Sequence, residues 1–140
     1  MPYEIRIVKI DPEHSDKEKH PKIQSTKKAA KVGRVISGDA HEQNLVISLD
    51  ATRRMITSRI VSIGGTHITM AAMSEIFRGP VMDGAAGLIF IHNHPVGSVI
   101  PSELDVKFHK DMLKACRILD IELTDDVIVS GKKYFSLMGA

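Results

Sequence analysis

Two histidines one residue apart, His92 and His94, follow the apolar run GLIFI, and after seven further residues Ser102 and Asp105 open a segment with helical periodicity. Imidazoles at i and i+2 at the end of a strand project to the same side, so both can converge on one cation. Taking the helix's core face as centred near Phe108 and Leu119, Asp105 falls about 60° from that centre at 100° per residue. From there its carboxylate can look across at the strand end. Two imidazoles and one carboxylate would leave the fourth tetrahedral position of a zinc ion free for water, as in hydrolytic rather than structural sites. Each piece also has a plainer reading. Ser102-x-x-Asp105 is a capping-box variant, and a lone histidine at a strand end is ordinarily just hydrogen-bonded. The joint pattern is harder to obtain from capping and packing, and Ser102 can serve as cap and site residue at once.

The elements that must position these residues read as alternating strands and helices. YEIRIVKI (3–10) places Tyr3, Ile5 and Ile7 at period two, a short strand ended by Asp11-Pro12. Polar residues 11–22 with two prolines read as an exposed connection. KIQSTKKAAKVGRVI predicts a helix with Ala29, Val32 and Ile36 on one stripe and its lysines in water. NLVISLD (44–50) and MITSRIVSIGG (55–65) predict an antiparallel hairpin that Gly64-Gly65 terminates. Met70, Met73, Ile76 and Phe77 fall at helical spacing and read as core packing, with Gly79-Pro80 expected to break or kink that helix. GLIFI reads as a strand buried on both faces, and the next helix is expected to bury Leu104, Phe108, Met112, Ala115 and Leu119. DVIVSG and YFSL around Gly131-Lys132-Lys133 predict a closing hairpin. Together these give an α/β class: a mixed β-sheet flanked by helices.

Composition bounds the function. The 140 residues are 43% apolar and 26% charged, with a formal charge of +2, which fits one globular domain and argues against a histone-like nucleic-acid binder. The single cysteine, Cys116, excludes an internal disulfide and a cysteine-rich zinc finger, so any metal chemistry must rest on histidine and carboxylates, and a reducing, cytoplasmic setting is expected. No stretch approaches the roughly 20 apolar residues of a membrane span, and the start does not look like a signal peptide. Charge is local: between Asp16 and Arg34 lie seven basic residues (Lys17, Lys19, Lys22, Lys27, Lys28, Lys31, Arg34) against two acidic ones. A solvated helix face explains them most simply, and no aromatic residues interleave for base stacking, but phosphate contact is the alternative.

His92-x-His94-x7-Ser102-x-x-Asp105 resembles the JAMM motif of JAB/MPN metalloproteases, and HNHPVGS followed by PSELD is most similar to the RadC-like branch. The likeness runs from about Glu42 through SLD, the GGT turn and the SEIFRG helix to DVIVSGKKYFSL. The resemblance implies the JAB/MPN, cytidine-deaminase-like three-layer architecture, with a domain over 23–140 behind an N-terminal strand and polar extension over 1–22. It also implies one Zn2+ per chain held by His92, His94 and Asp105. Glu42 would be the acid that carries the proton, with Glu75 its rival, and Ser102 the donor that steadies the oxyanion. Asp125-Asp126 stands where RadC-like chains usually show Asp-His, Val96 replaces a usual serine, and Gly79-Pro80 interrupts a usually regular helix. The strand at 3–10 lies outside the shared core and is an edge strand, an arm towards another protomer, or a cap over the site.

Three functions are therefore in play. The first is a zinc-dependent hydrolase cleaving a peptide or isopeptide amide bond in a peptide or protein substrate. The second is a nucleic-acid-associated module, since the RadC name is linked to DNA repair and the Lys17 to Arg34 region offers weak phosphate contact. A catalytically silent MPN scaffold is the third, disfavoured because every motif residue is present.

Overall fold

In a computed structural model, residues 4–9, 20–62 and 72–139 are described, residues 4–9 and 62 by their backbone alone. Tyr3, Lys17, Lys19, Gly64-Gly65 and Met70, which figured in the expectations above, lie outside them. The strands are β1 (Glu4–Lys9), β2 (Asn44–Leu49), β3 (Met55–Ser62), β4 (Gly87–Asn93), β5 (Glu122–Ser130) and β6 (Lys133–Ser136). They form one sheet in the order β1-β3-β2-β4-β5-β6, antiparallel throughout except for the parallel β4–β5 pair. Of the roles open to the N-terminal strand, edge strand is the one adopted: β1 pairs with β3 at the margin of the sheet.

Helices cover both faces. On one face, α1 (Thr26–Val32) and the short α2 (Arg34–Ser37) bring Ala29, Ala30 and Ile36 against Leu45, Ile47, Ile89, Ile91, Val127 and Val129. On the other, α3 (Met73–Asp83) and α4 (Glu103–Leu119) pack Ile76, Phe77, Met112 and Cys116 against Val46, Leu88 and Phe90. The period-two alternation along β2 and β4 sends odd-numbered residues to the first layer and even-numbered ones to the second. Both strands are therefore buried on both faces, β4 over all seven of its residues. This is the three-layer architecture the sequence implied.

Local chemistry explains most boundaries. Asp50 makes the β2–β3 turn by accepting hydrogen bonds at Oδ1 from Thr52 N (2.8 Å) and Arg54 N (3.0 Å). Residues 20–22 are not a free connection: His20 Nδ1 donates to Met55 O, Pro21 O accepts from Met55 N, and Lys22 bridges to Arg54. The single helix expected over 22–36 begins only at Thr26 and is split at Gly33, where any Cβ would press against the Ile91 side chain. The buried stripe of Ala29 and Ile36 is nevertheless as expected.

Two expectations are corrected. The helix over 73–83 runs through Gly79-Pro80 to Asp83 and ends at Gly84 in the left-handed region (φ +64°). Gly79 is there for room: the Arg59 guanidinium crosses from β3 against it to reach Asp83, with Nη1 to Oδ2 at 2.6 Å and Nη2 to Oδ1 at 2.8 Å. A side chain at position 79 would occupy that space. In α4 the buried face is Asp105, Met112 and Cys116, with Phe108 and Ala115 partly buried, while Leu104 and Leu119 are exposed. The helix is rotated so that Asp105, rather than Leu104, looks inward.

Candidate metal centre

The cluster sits where β4 ends and α4 begins. His92 belongs to β4 and shares the α4 face with Phe90, whose ring centroid lies 5.7 Å from the imidazole. His94 follows the strand, and its N–H continues the β4–β5 pairing by donating to Val129 O at 2.9 Å. Residues 94–97 then turn, with Gly97 at φ +91°, a conformation that favours glycine. Ser102 caps α4. Its Oγ accepts from Asp105 N at 3.1 Å and its own N–H donates to Asp105 Oδ2 at 2.9 Å, a reciprocal capping box. The plainer, capping-box reading of Ser102 and Asp105 thus holds, and it serves the site, because the cap fixes the carboxylate that faces the histidines.

His92, His94 and Asp105 each offer a ligand atom, all within 4.8 Å of one another. His92 Nε2 lies 3.2 Å from Asp105 Oδ1 and His94 Nε2 lies 3.1 Å from Oδ2. Two features say what this arrangement is for. His94 Nδ1 is committed to the Ser98 carbonyl at 2.9 Å, which can only accept, so the lone pair of neutral His94 sits on Nε2 and faces a carboxylate. A lone pair facing an anion needs a proton or a cation between them. His92, in turn, is almost fully buried, and neither of its ring nitrogens has a hydrogen-bond partner, although Nε2 is close to Asp105. Unpartnered buried imidazole nitrogens are costly unless a ligand completes them. The Asp105 carboxyl matches: burial alone would raise it, but the adjacent His92 imidazole and the Ser102 N–H outweigh that and hold it well below the usual carboxylate range. Two neutral imidazoles and one ionised carboxylate, with no thiolate, suit zinc or a similar divalent ion.

The remaining expected site residues are placed less directly. Glu42 is half-buried in the stretch before β2, two residues ahead of Asn44, the register partner of His92. Glu75, the rival, is buried in the first turn of α3 and engaged by Arg78 at 2.8 Å, with its Oε2 unpartnered. Neither is among the three clustered ligands.

One residue escaped the sequence reading. Asn93, between the histidines and buried, accepts from Gln43 N at 2.5 Å through Oδ1, and its Nδ2 donates to His41 O (3.1 Å) and Asp39 O (3.3 Å). It therefore ties the stretch carrying Glu42 to the strand end carrying both imidazoles. Its place in HNH was visible, but nothing local to the sequence marked residues 39–43 as its partners.

Fold and cluster together define a three-layer α/β domain whose His-His-Asp cluster, where β4 ends, fits a JAMM-like metal site. Residues 23–140 match the RadC-like JAB domain, and the chain belongs to that family. It is 34% identical over 118 residues to a UPF0758 protein of Flavobacterium johnsoniae, covering 84% of this chain and 52% of that one. A UPF0758 protein of Streptococcus agalactiae is 39% identical over 100 residues, 71% of this chain and 44% of its own length. One from Syntrophomonas wolfei is 37% identical over 92 residues, 66% of this chain and 39% of its own. The chain thus spans about half the length, or less, of these relatives. Among the described residues no helix is long and apolar enough to cross a membrane.

Proposed function

We propose that the domain is a zinc-dependent hydrolase of peptide or isopeptide amide bonds. The observation that carries this reading is the convergence of His92, His94 and Asp105, with His92 Nε2 and His94 Nε2 both turned to the Asp105 carboxylate. His92, His94 and Asp105 would hold one zinc ion, which when bound supplies Lewis-acid polarisation of a carbonyl and acidifies water to a pKa of about 7.

The other steps belong to the chain. The Ser102 N–H donates to Asp105 Oδ2 and helps hold the carboxylate ionised. The Ser98 carbonyl fixes the His94 tautomer. Ser102 Oγ accepts from Asp105 N and keeps its own hydrogen free to donate to charge developing on the substrate oxygen. Glu42 takes a proton from the attacking water and delivers it to the leaving amine. Asn93 supports that assignment by holding the neighbouring backbone, whereas Glu75 is occupied by Arg78.

Elemental analysis of purified protein, followed by incubation with a diverse peptide library and mass spectrometry of the products, tests the proposal. About one zinc per chain is expected, lost in His92→Ala and Asp105→Ala. Cleavage should disappear in Glu42→Gln while zinc is retained. A zinc-loaded wild type that cleaves nothing, or a protein that takes up no metal, would sink the reading.

A further inference from the structure

The basic residues of α1 are exposed, as expected, and they also border a concavity. Across from the helix stands the turn of the β5–β6 hairpin, and the two enclose a groove of about 510 Å³. Helix residues Lys27, Lys28, Lys31 and Arg34 line one wall, and Lys132 and Lys133 line the other. No acidic side chain lines it. Among the described residues, Lys27, Lys28, Lys31, Arg34 and Lys132 make no ion pair, whereas Lys107 and Arg53 on other surfaces do. Six like charges gathered in a concavity repel one another, and low-dielectric walls focus their field outwards. Such an arrangement favours a polyanionic occupant.

The groove is also joined to the metal centre. It lies on the α1 face of the sheet, and the hairpin that forms its second wall leaves β5 at Ser130, whose Oγ donates to His94 O at 2.8 Å. From the other arm of the hairpin, Lys133 Nζ donates to Gly97 O at 3.4 Å, in the loop between His94 and Ser102. Lys133 thus belongs to the groove wall and also touches the loop that leads from His94 to Ser102.

We infer that this groove binds an acidic segment of the polypeptide substrate and so selects amide bonds flanked by Asp or Glu residues. The inference rests on the amide-hydrolase reading for its choice of a polypeptide. Extended peptide advances about 3.3 Å per residue, so a short acidic run presents several carboxylates to the two cationic walls at once. Single-stranded nucleic acid is the competing polyanion, but its binding relies on stacking successive bases on aromatic side chains. Here Tyr134 is the sole aromatic lining the groove.

The test is fluorescence anisotropy with a labelled peptide carrying six consecutive glutamates, its glutamine counterpart, and labelled oligo(dT), at low and high salt. Proteins to compare are wild type, the Lys31→Glu/Lys132→Glu double variant, Lys31→Arg/Lys132→Arg, and His92→Ala, with circular dichroism to verify folding. The acidic peptide should bind at least tenfold more tightly than its glutamine counterpart, lose that margin at high salt and in the glutamate variant, and keep it in the arginine variant. Binding to His92→Ala should be unchanged, so a groove that binds in a protein that never cleaves isolates failure of the hydrolase reading from failure of this one. Equal affinity for the two peptides overturns the inference, and so does a tenfold preference for oligo(dT), which would reassign the groove to nucleic acid.

Discussion

His109 and Asp126 share a 2.7 Å hydrogen bond between Nδ1 and Oδ2, linking α4 to β5 on the sheet face that carries His92. Asp126 pairs in register with Phe90, and Ile128 with His92, so Asp126 lies diagonally beside His92 on the neighbouring strand. Burial pushes its carboxyl up, and the His109 bond opposes that only in part. Asp126 Oδ1 and His92 Nδ1 are both buried and both unpartnered.

This neighbourhood gives the first prediction. Ligand histidines are ordinarily oriented by a carboxylate or carbonyl at the ring nitrogen that does not bind metal, and loss of that partner costs 10–100-fold in metal affinity, as order-of-magnitude estimates. Asp126→Asn is expected to weaken zinc binding by about that factor with the fold intact, measured by competition against a chelator of known affinity. An unchanged zinc affinity would remove Asp126 from any role in positioning His92.

Ser102→Ala separates two duties of one hydroxyl. Loss of the cap should lower stability by about 1 kcal/mol, read from denaturant unfolding. If the hydroxyl also steadies the oxyanion, turnover should fall by roughly 100-fold while zinc content holds. A stability loss without a turnover loss would leave Ser102 as a cap alone.

At Gly79 the usual helix rule should reverse. Alanine is ordinarily the better helix former by about 1 kcal/mol. Here its methyl would collide with the Arg59 guanidinium, which is buried and paired with Asp83. Gly79→Ala should therefore destabilise the domain by roughly 3 kcal/mol, the scale of a disrupted buried ion pair. Equal or greater stability in chemical denaturation would contradict this account of why the helix carries a glycine.

The same ion pair sets an acid limb. Burial alone would raise the Asp83 carboxyl, but the Arg59 and Thr57 hydrogen bonds outweigh it and lower its pKa from 3.8 to about 2. A depressed folded-state value stabilises the fold above the unfolded value, and that contribution fades as pH falls from about 4 through 2. On the order of 2 kcal/mol should be lost across that window. Asp83→Asn, measured by thermal unfolding at several pH values, should be less stable at neutral pH and lose stability less steeply than wild type as pH falls from about 4 through 2. Parallel wild-type and variant curves would argue against the assignment.

Burial lifts the Cys116 thiol to about 11, so the folded protein should react with a thiol reagent only as fast as it opens. Stoichiometric labelling within seconds under native conditions would contradict its place on the buried face of α4.

Chain-local signals were enough for the cluster and for most of the sheet. Side chains at i and i+2 on a strand must share a face, and a Ser-x-x-Asp start must turn its aspartate back towards the cap, so His92, His94, Ser102 and Asp105 were legible from spacing alone. The buried strand GLIFI and both hairpins were legible for the same reason, since their periods and turn residues are properties of a few consecutive positions. What folding decided involves partners remote in sequence. Arg59 from β3 makes Gly79-Pro80 tolerable inside α3, Asn93 secures the stretch bearing Glu42, and packing against β4 rotates α4 so that Leu104 faces water. The cationic groove is of this kind as well, because Lys31 and Lys132 meet only once β5 is laid beside β4 and α1 is folded over them. Spacing constrains direction along one element; which two elements face each other is settled by the burial of apolar surface over the whole sheet.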